Sequence, residues 1–226
     1  MKDRFKTSLL IRGLAAPVLL LAVVLLAAGR LSYWQGWAYG GSSFLLLAVN
    51  YLLLRGRPDL IQERLSPGHG TKWWDKAYFA LSTPLFFVAV VLAALDAGRY
   101  GWGPQMPLWA YLLAGLAYAA GQALHLWAKA TNRWFATVVR IQSDRGQQVC
   151  MSGPYRFVRH PGYLGGVLFM LATPLLLGSW LALIPQAVAA GLLVLRTYLE
   201  DRTLQAELPG YAEYARKVRK RLCPIW

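Results

Sequence analysis

The chain has 226 residues, 57% of them apolar and only 15% charged, with 24 basic against 10 acidic side chains and a net charge of +14. That balance lies outside the range of water-soluble globular domains, and it makes a soluble α/β enzyme, a disordered tail and a nucleic-acid module poor fits. The charges are also unevenly spread. Charge-free runs from Arg12 to Arg30, Arg30 to Arg55, Lys76 to Asp96, Arg99 to Lys129, and across residues 161–195, fill more than half of the chain.

A helix needs ~20 apolar residues to cross ~30 Å of hydrocarbon. The first four runs therefore predict spanning helices near residues 13–29, 38–54, 77–95 and 108–127, flanked by interfacial rings such as Trp34, Trp37, Trp73, Trp74, Trp102 and Trp109. The first run also reads as a signal peptide with a small-residue site at Ala27-Ala28-Gly29, but Arg30 and the aromatic cluster behind it fit a helix exit better. Residues 59–65 are equally consistent with a short interfacial helix and with a solvated connection. The fifth run would be about 50 Å long as one helix at ~1.5 Å per residue, and Gly178-Ser179 sits at its midpoint. It predicts a helical hairpin with arms near residues 163–177 and 181–199, kinked at Pro174 and Pro185.

Basic residues collect on the cytoplasmic side of membrane proteins. All but Arg30 and Arg99 of the 24 basic residues fall before the first helix, between the second and third, after the fourth, and in the tail. Six crossings with both ends in the cytoplasm account for this; a hairpin that only re-enters leaves four crossings and the same sidedness. The expectation is a single all-α integral-membrane domain over residues 1–226, with a four-helix part up to residue 128 and a cofactor-binding segment, hairpin and tail from residue 129. Cys150 and Cys223 fall on the cytoplasmic side, so no structural disulfide is expected. With His69, His125 and His160 they are too scattered for a zinc set, and no metal is expected.

The densest polar cluster, from Gly153 to Gly166, lies at the mouth of the hairpin. Its Pro and Gly residues interrupt helix and leave backbone groups available to a ligand. Arg159 offers a fork for a carboxylate, His160 a donor or acceptor, and Tyr155 and Tyr163 flat faces with polar tips. The plainer alternative makes Arg156 and Arg159 sidedness charges and His160 a cap. The other foot carries Glu200 and Asp201, with Arg196 on the face of Glu200 one helical turn away. Acids at the edge of hydrocarbon are costly unless paired or functional, and pairing with Arg196 or Arg202 is the bland reading.

The run GPYRFVRHPGYLG, the later Arg196, Glu200, Asp201 and Leu204, and Tyr211 and Tyr214 before a basic stretch and Pro224 resemble the isoprenylcysteine carboxyl methyltransferase superfamily, which includes membrane phospholipid methyltransferases. Asn132-Arg133-Trp134-Phe135 followed by Val139-Arg140-Ile141-Gln142 is similar to a segment of its bacterial members. The resemblance covers about residues 125–226. It implies an integral-membrane enzyme of a bacterial inner membrane that uses S-adenosylmethionine, held at the cytoplasmic face, to methylate a lipophilic acceptor. By resemblance, Tyr155, Arg159, His160, Pro161, Tyr163, Leu164, Gly165 and Glu200 hold the cofactor. Arg196, Glu200 and Asp201 carry the reaction, and Asn132, Phe135 and Arg140 meet the acceptor. Where the family usually has two glutamates this chain has Glu200-Asp201.

Rival readings are a membrane sterol-reductase-like enzyme using NADPH and a non-enzymatic transporter or assembly protein. The first is disfavoured by the lack of a glycine-rich phosphate fingerprint, the second by spans free of charged side chains. The basic segments flank membrane spans rather than gathering on one soluble face, so nucleic acid is not an expected partner. The expected partners are the lipophilic substrate and membrane lipids, the run Arg216–Arg221 being suited to anionic headgroups.

Overall fold

The computed structural model of the chain describes residues 2–56, 61, 63 and 69–222. Seven α-helices are delimited among them, with no strand: α1 (Lys2–Ala28), α2 (Trp34–Leu54), α3 (Trp73–Ala93), α4 (Leu108–Thr131), α5 (Pro161–Leu176), α6 (Leu183–Glu207) and α7 (Tyr211–Lys217). A π-helical turn at Ala94–Tyr100 prolongs α3, and two 3-10 turns, Ser143–Arg145 and Gly153–Arg156, punctuate the connection between α4 and α5. The expected element at residues 59–65 lies outside the described residues apart from Ile61 and Glu63, as do Cys223 and Pro224.

Small residues share the buried positions with Val24, Tyr33, Val90 and Leu177, while many large apolar side chains face outward. Ala28, Ala93, Ala128 and Ala189 are fully buried, whereas Leu26, Leu108 and Leu116 are 77%, 73% and 68% exposed. Small residues inside let helix backbones approach, and large apolar ones outside suit lipid. Exposed tryptophans, Trp34, Trp37, Trp102 and Trp109 at one end and Trp73 and Trp127 at the other, fit interfacial belts. Trp73–Tyr100 and Leu183–Glu207 are long and apolar enough to cross a membrane, and Gly13–Ala28 and Pro161–Leu176 are shorter apolar helices. The helices α2 and α4 have 21 and 24 residues, but Gln35, Ser42, Ser43 and Asn50 in the first and Gln122 and His125 in the second dilute their apolar character.

The expected hairpin is formed by α5 and α6. Gly178 makes the turn with φ +86°, a left-handed conformation that a side chain would strain. Pro174 lies within α5, while Pro185 occupies the first turn of α6, where no helical partner for an N–H is needed. The turn is fastened to the end of α3: Ser179 Oγ donates to Asp96 Oδ2 at 2.6 Å, and the Gly103 N–H donates to Asp96 Oδ1 at 2.7 Å. On the other side α5 crosses α4 backbone to backbone. A Cβ added at Gly121 would lie 2.7 Å from both Gly165 O and Phe169 N. This crossing fixes the end of α4 against the start of α5, and α6 packs on both α5 and α3. At that end a second cluster, Tyr155, Leu204, Leu208, Tyr211 and Tyr214, caps the bundle with residues from the 3-10 turn, the end of α6 and α7.

Candidate functional site

The feet of α5 and α6 meet around Asp201, whose carboxylate is fully buried. Arg159 clasps it with two parallel bonds, Nε to Oδ1 at 2.7 Å and Nη2 to Oδ2 at 2.9 Å. His160 Nε2 lies 3.1 Å from Oδ1, and the Tyr211 hydroxyl donates to Oδ1 at 3.0 Å. Gln205 Nε2 and Arg221 Nε donate to Oδ2 at 2.7 and 2.9 Å. A carboxylate offers about four lone-pair positions, so Asp201 is saturated by its neighbours. Because it can only accept, His160 Nε2 carries the proton, and in the neutral ring Nδ1 is left as an acceptor.

Arg159 extends the network to the tail. Its Nη1 donates to the Val218 and Arg219 carbonyls, both at 2.8 Å, and the Arg159 and His160 N–H groups donate to the Lys220 and Arg221 carbonyls. Burial works against the Arg159 cation, but the hydrogen bonds and charge of Asp201 outweigh it and hold the guanidinium above its usual range. Burial first, then the charge of Asp201, pushes the Tyr211 hydroxyl far above the phenol range, so it remains a donor.

Arg196 is held from another direction. Its Nε donates to Asp75 Oδ1 at 2.6 Å and its Nη2 to the Thr137 carbonyl at 2.8 Å. The rings of Tyr78, Phe79 and Tyr163 lie 4.8, 4.9 and 5.1 Å from its Cζ. Asp75, in the first turn of α3, is fully buried, and its second oxygen accepts the Val139 N–H at 2.9 Å. The main chain at 137–139 is thereby pinned beside the start of α3.

These groups border a cavity of about 270 Å3. One wall carries His160 and Tyr163, stacked with centroids 5.8 Å apart and planes 7° from parallel. Glu200 and Arg196 stand beside them; among the described residues Glu200 takes one hydrogen bond, from the Tyr163 hydroxyl. The facing wall carries Asn132, Trp134 and Phe135, with His125, whose Nδ1 pairs with the Gly162 carbonyl at 3.1 Å and whose ring stands edge-on to Phe135. Asn132 caps α4, accepts the Trp134 N–H, and donates to the Tyr155 hydroxyl at 3.3 Å. The charges near the cavity balance, Arg159, Arg196 and Arg221 against Asp75, Glu200 and Asp201. Two of the acids are engaged by arginine, whereas Glu200, among the described residues, accepts only from the Tyr163 hydroxyl.

Of the residues singled out from the sequence, Asn132, Phe135, Tyr155, Arg159, His160, Tyr163, Arg196 and Glu200 line this cavity. Asp201 lies behind His160 and Arg159. Pro161 is the first residue of α5, Leu164 lies one turn in, and Gly165 faces Gly121 of α4; none of the three lines the cavity. Arg140 also lies apart, its guanidinium bonded to Glu63 at 2.7 and 2.8 Å and to Asp144 at 2.7 Å. Sequence reasoning passed over Asp75, Gln205 and the role of Arg221. Asp75 was open to suspicion as an acid between Trp74 and an apolar run, where an unpaired carboxylate is costly. Nothing in the sequence named its partner, 121 positions away. Among the described residues no group of three or more His, Cys, Asp or Glu side chains is placed to hold a metal ion.

No curated protein matches the chain. Residues 113–206 match the model of the Isoprenylcysteine carboxyl methyltransferase (ICMT) family, a stretch that holds most of the residues lining the cavity and the α5–α6 hairpin but for the last residue of α6. Over residues 113–206 the chain is similar to the isoprenylcysteine carboxyl methyltransferase family.

Proposed function

We propose that the protein takes a methyl group from S-adenosylmethionine in this cavity and passes it to a lipophilic acceptor. The observation that carries the reading is the meeting, in one cavity, of an under-bonded carboxylate, a guanidinium and an aromatic stack. The residues present fit the cofactor's chemistry: Glu200 suits a cationic sulfonium or ammonium and Tyr163 with His160 a planar base, while Arg196 suits an acidic group on the acceptor. When bound, the cofactor supplies an electrophilic methyl.

Methyl transfer is an in-line displacement, so the protein's main task is alignment, worth up to ~7–11 kcal/mol in favourable cases. Asp201 serves that task at one remove by orienting Arg159, His160 and Tyr211. Tyr155, Pro161, Leu164 and Gly165 set the shape of the cofactor side, the last three through the placement of α5. Asn132 and Phe135 form the acceptor side, and Arg140 belongs to it through the segment at 137–140 that it fixes. A carboxylate acceptor needs no base, whereas an amine, thiol or hydroxyl has to lose a proton. The lipophilic acceptor enters laterally between helices near Asn132 and Phe135, in a six-span topology with both termini on the cytoplasmic side of a bacterial inner membrane.

The test is to incubate the purified protein with methyl-labelled S-adenosylmethionine and a membrane lipid extract and to identify the labelled product. Calorimetry with S-adenosylhomocysteine and with NADPH accompanies it. Labelled lipid and binding of the first ligand support the reading; binding of NADPH alone replaces it with a reductase. Equal activity on short-chain and long-chain acceptors removes the lateral entry.

A further inference from the structure

Arg196 and Glu200 are opposite charges one turn apart on the same face of α6, the spacing at which such side chains ordinarily pair. Both line the cavity, and their charges are close enough to act on one another, yet they form no ion pair. Arg196 is drawn away by Asp75, which takes its Nε at 2.6 Å, while Glu200 holds the Tyr163 hydroxyl. Asp75 is itself fixed from the far side by the Val139 N–H at 2.9 Å, so it cannot follow the guanidinium toward the cavity.

We propose that Asp75 is a positioning residue that keeps Arg196 and Glu200 apart, so that each presents its charge to the cavity instead of cancelling the other. Asp75 lies outside the segment that matches the family model. In a partly desolvated site two opposite charges within reach attract strongly. Without a competing anion Arg196 turns along its own helix to Glu200, and one contact removes both the cation and the anion from the site. The effect on cofactor binding rests on the reading of the cavity given above, whereas the separation of the charges does not.

The experiment uses the full-length protein in detergent and two readouts. The first needs no cofactor: reaction of Glu200 with a hydrophobic carbodiimide, followed by peptide mass spectrometry. Carbodiimides attack the protonated acid, and an adjacent cation that lowers the carboxyl by one pKa unit removes about tenfold of that form. Asp75→Asn is expected to slow the labelling of Glu200 about tenfold. Adding Arg196→Met, which removes the captor, is expected to return labelling to at least the wild-type rate. Asp75→Ser, with the same expectation, replaces Asp75→Asn if that variant does not purify as a monodisperse species. The second readout is S-adenosylhomocysteine affinity, expected to fall in Asp75→Asn and to recover in part in Asp75→Asn/Arg196→Met, whereas a purely structural loss would deepen with the second substitution. Wild-type labelling in Asp75→Asn, or labelling that stays slow in the double variant, overturns the proposal. A wild-type protein that binds no S-adenosylhomocysteine overturns the cofactor reading and leaves the labelling result to decide the role of Asp75.

Discussion

Gly121 lines no part of the cavity, yet replacing it with alanine should cost both stability and ligand affinity. The added Cβ would meet Gly165 O and Phe169 N, both at 2.7 Å and both backbone, so no side chain can swing aside. Carbon to oxygen contacts settle near 3.3–3.6 Å, so α5 has to retreat from α4 by about 0.6–0.9 Å. His125 follows Gly121 by one turn, and its Nδ1 reaches the Gly162 carbonyl at 3.1 Å. The same retreat would stretch that bond to roughly 3.7–4.0 Å, beyond hydrogen-bonding range. Overpacking costs about 1–3 kcal/mol, and the lost bond adds ~0.5–1.5 kcal/mol. Thermal unfolding in detergent, followed by the fraction that stays monodisperse after heating, should show a midpoint several degrees lower, with weaker binding of S-adenosylhomocysteine. Gly191→Ala is the control, because nothing lies within 4 Å of its Cβ position and the same change removes a helical glycine at no steric cost. A Gly121→Ala protein with the wild-type midpoint and wild-type affinity would refute the claim that this crossing sets the cavity.

Four further outcomes are expected. Asp201→Asn leaves two arginines without their buried counter-charge and should destabilise the protein by about 3–5 kcal/mol, seen as a collapse of the folded fraction on mild heating. Arg196→Ala should lower turnover far more than S-adenosylhomocysteine affinity; equal losses would assign Arg196 to cofactor binding. Tyr163→Phe removes the donor to Glu200 and should alter S-adenosylhomocysteine affinity with little change in unfolding midpoint, read by paired calorimetry and melting. Arg140→Ala leaves the buried Glu63 without its cation and should lower the midpoint while the acceptor KM of the folded fraction stays unchanged; a selective rise in KM would place Arg140 in contact with the acceptor.

The helices were legible because lipid imposes a simple rule on composition, that long stretches carry no charge. The turn at Gly178-Ser179 could be read for the same reason, since a run of that length exceeds one crossing. The ends were less legible. Helix α6 runs to Glu207 rather than stopping near residue 199, because its last two turns leave the apolar region and are held by Asp201, Leu204 and their contacts with α7 and the tail. Within the site, Arg159, His160 and Tyr163 stood out as polar residues in a helix-breaking segment. Their division of labour did not: that Asp201 is enclosed while its neighbour Glu200 faces the cavity depends on which way α6 is rotated against α5. The partner of Arg196 and the buried partner of Arg140 were hidden, since Asp75 and Glu63 reach them across more than sixty intervening positions; only Asp144, four residues from Arg140, stood at a spacing the sequence displays.

Arg159 holds the stretch at 218–221 through its carbonyls, and Arg221 completes the shell of Asp201. That stretch leaves the ribosome after every helix delimited among the described residues. A nascent chain can therefore hold its membrane helices in place with Asp201 still short of a donor and one side of the network open. The stretch at 218–221 is the clasp that closes it, so a truncation just before Val218 should yield a bundle that inserts and a network around Asp201 that never completes.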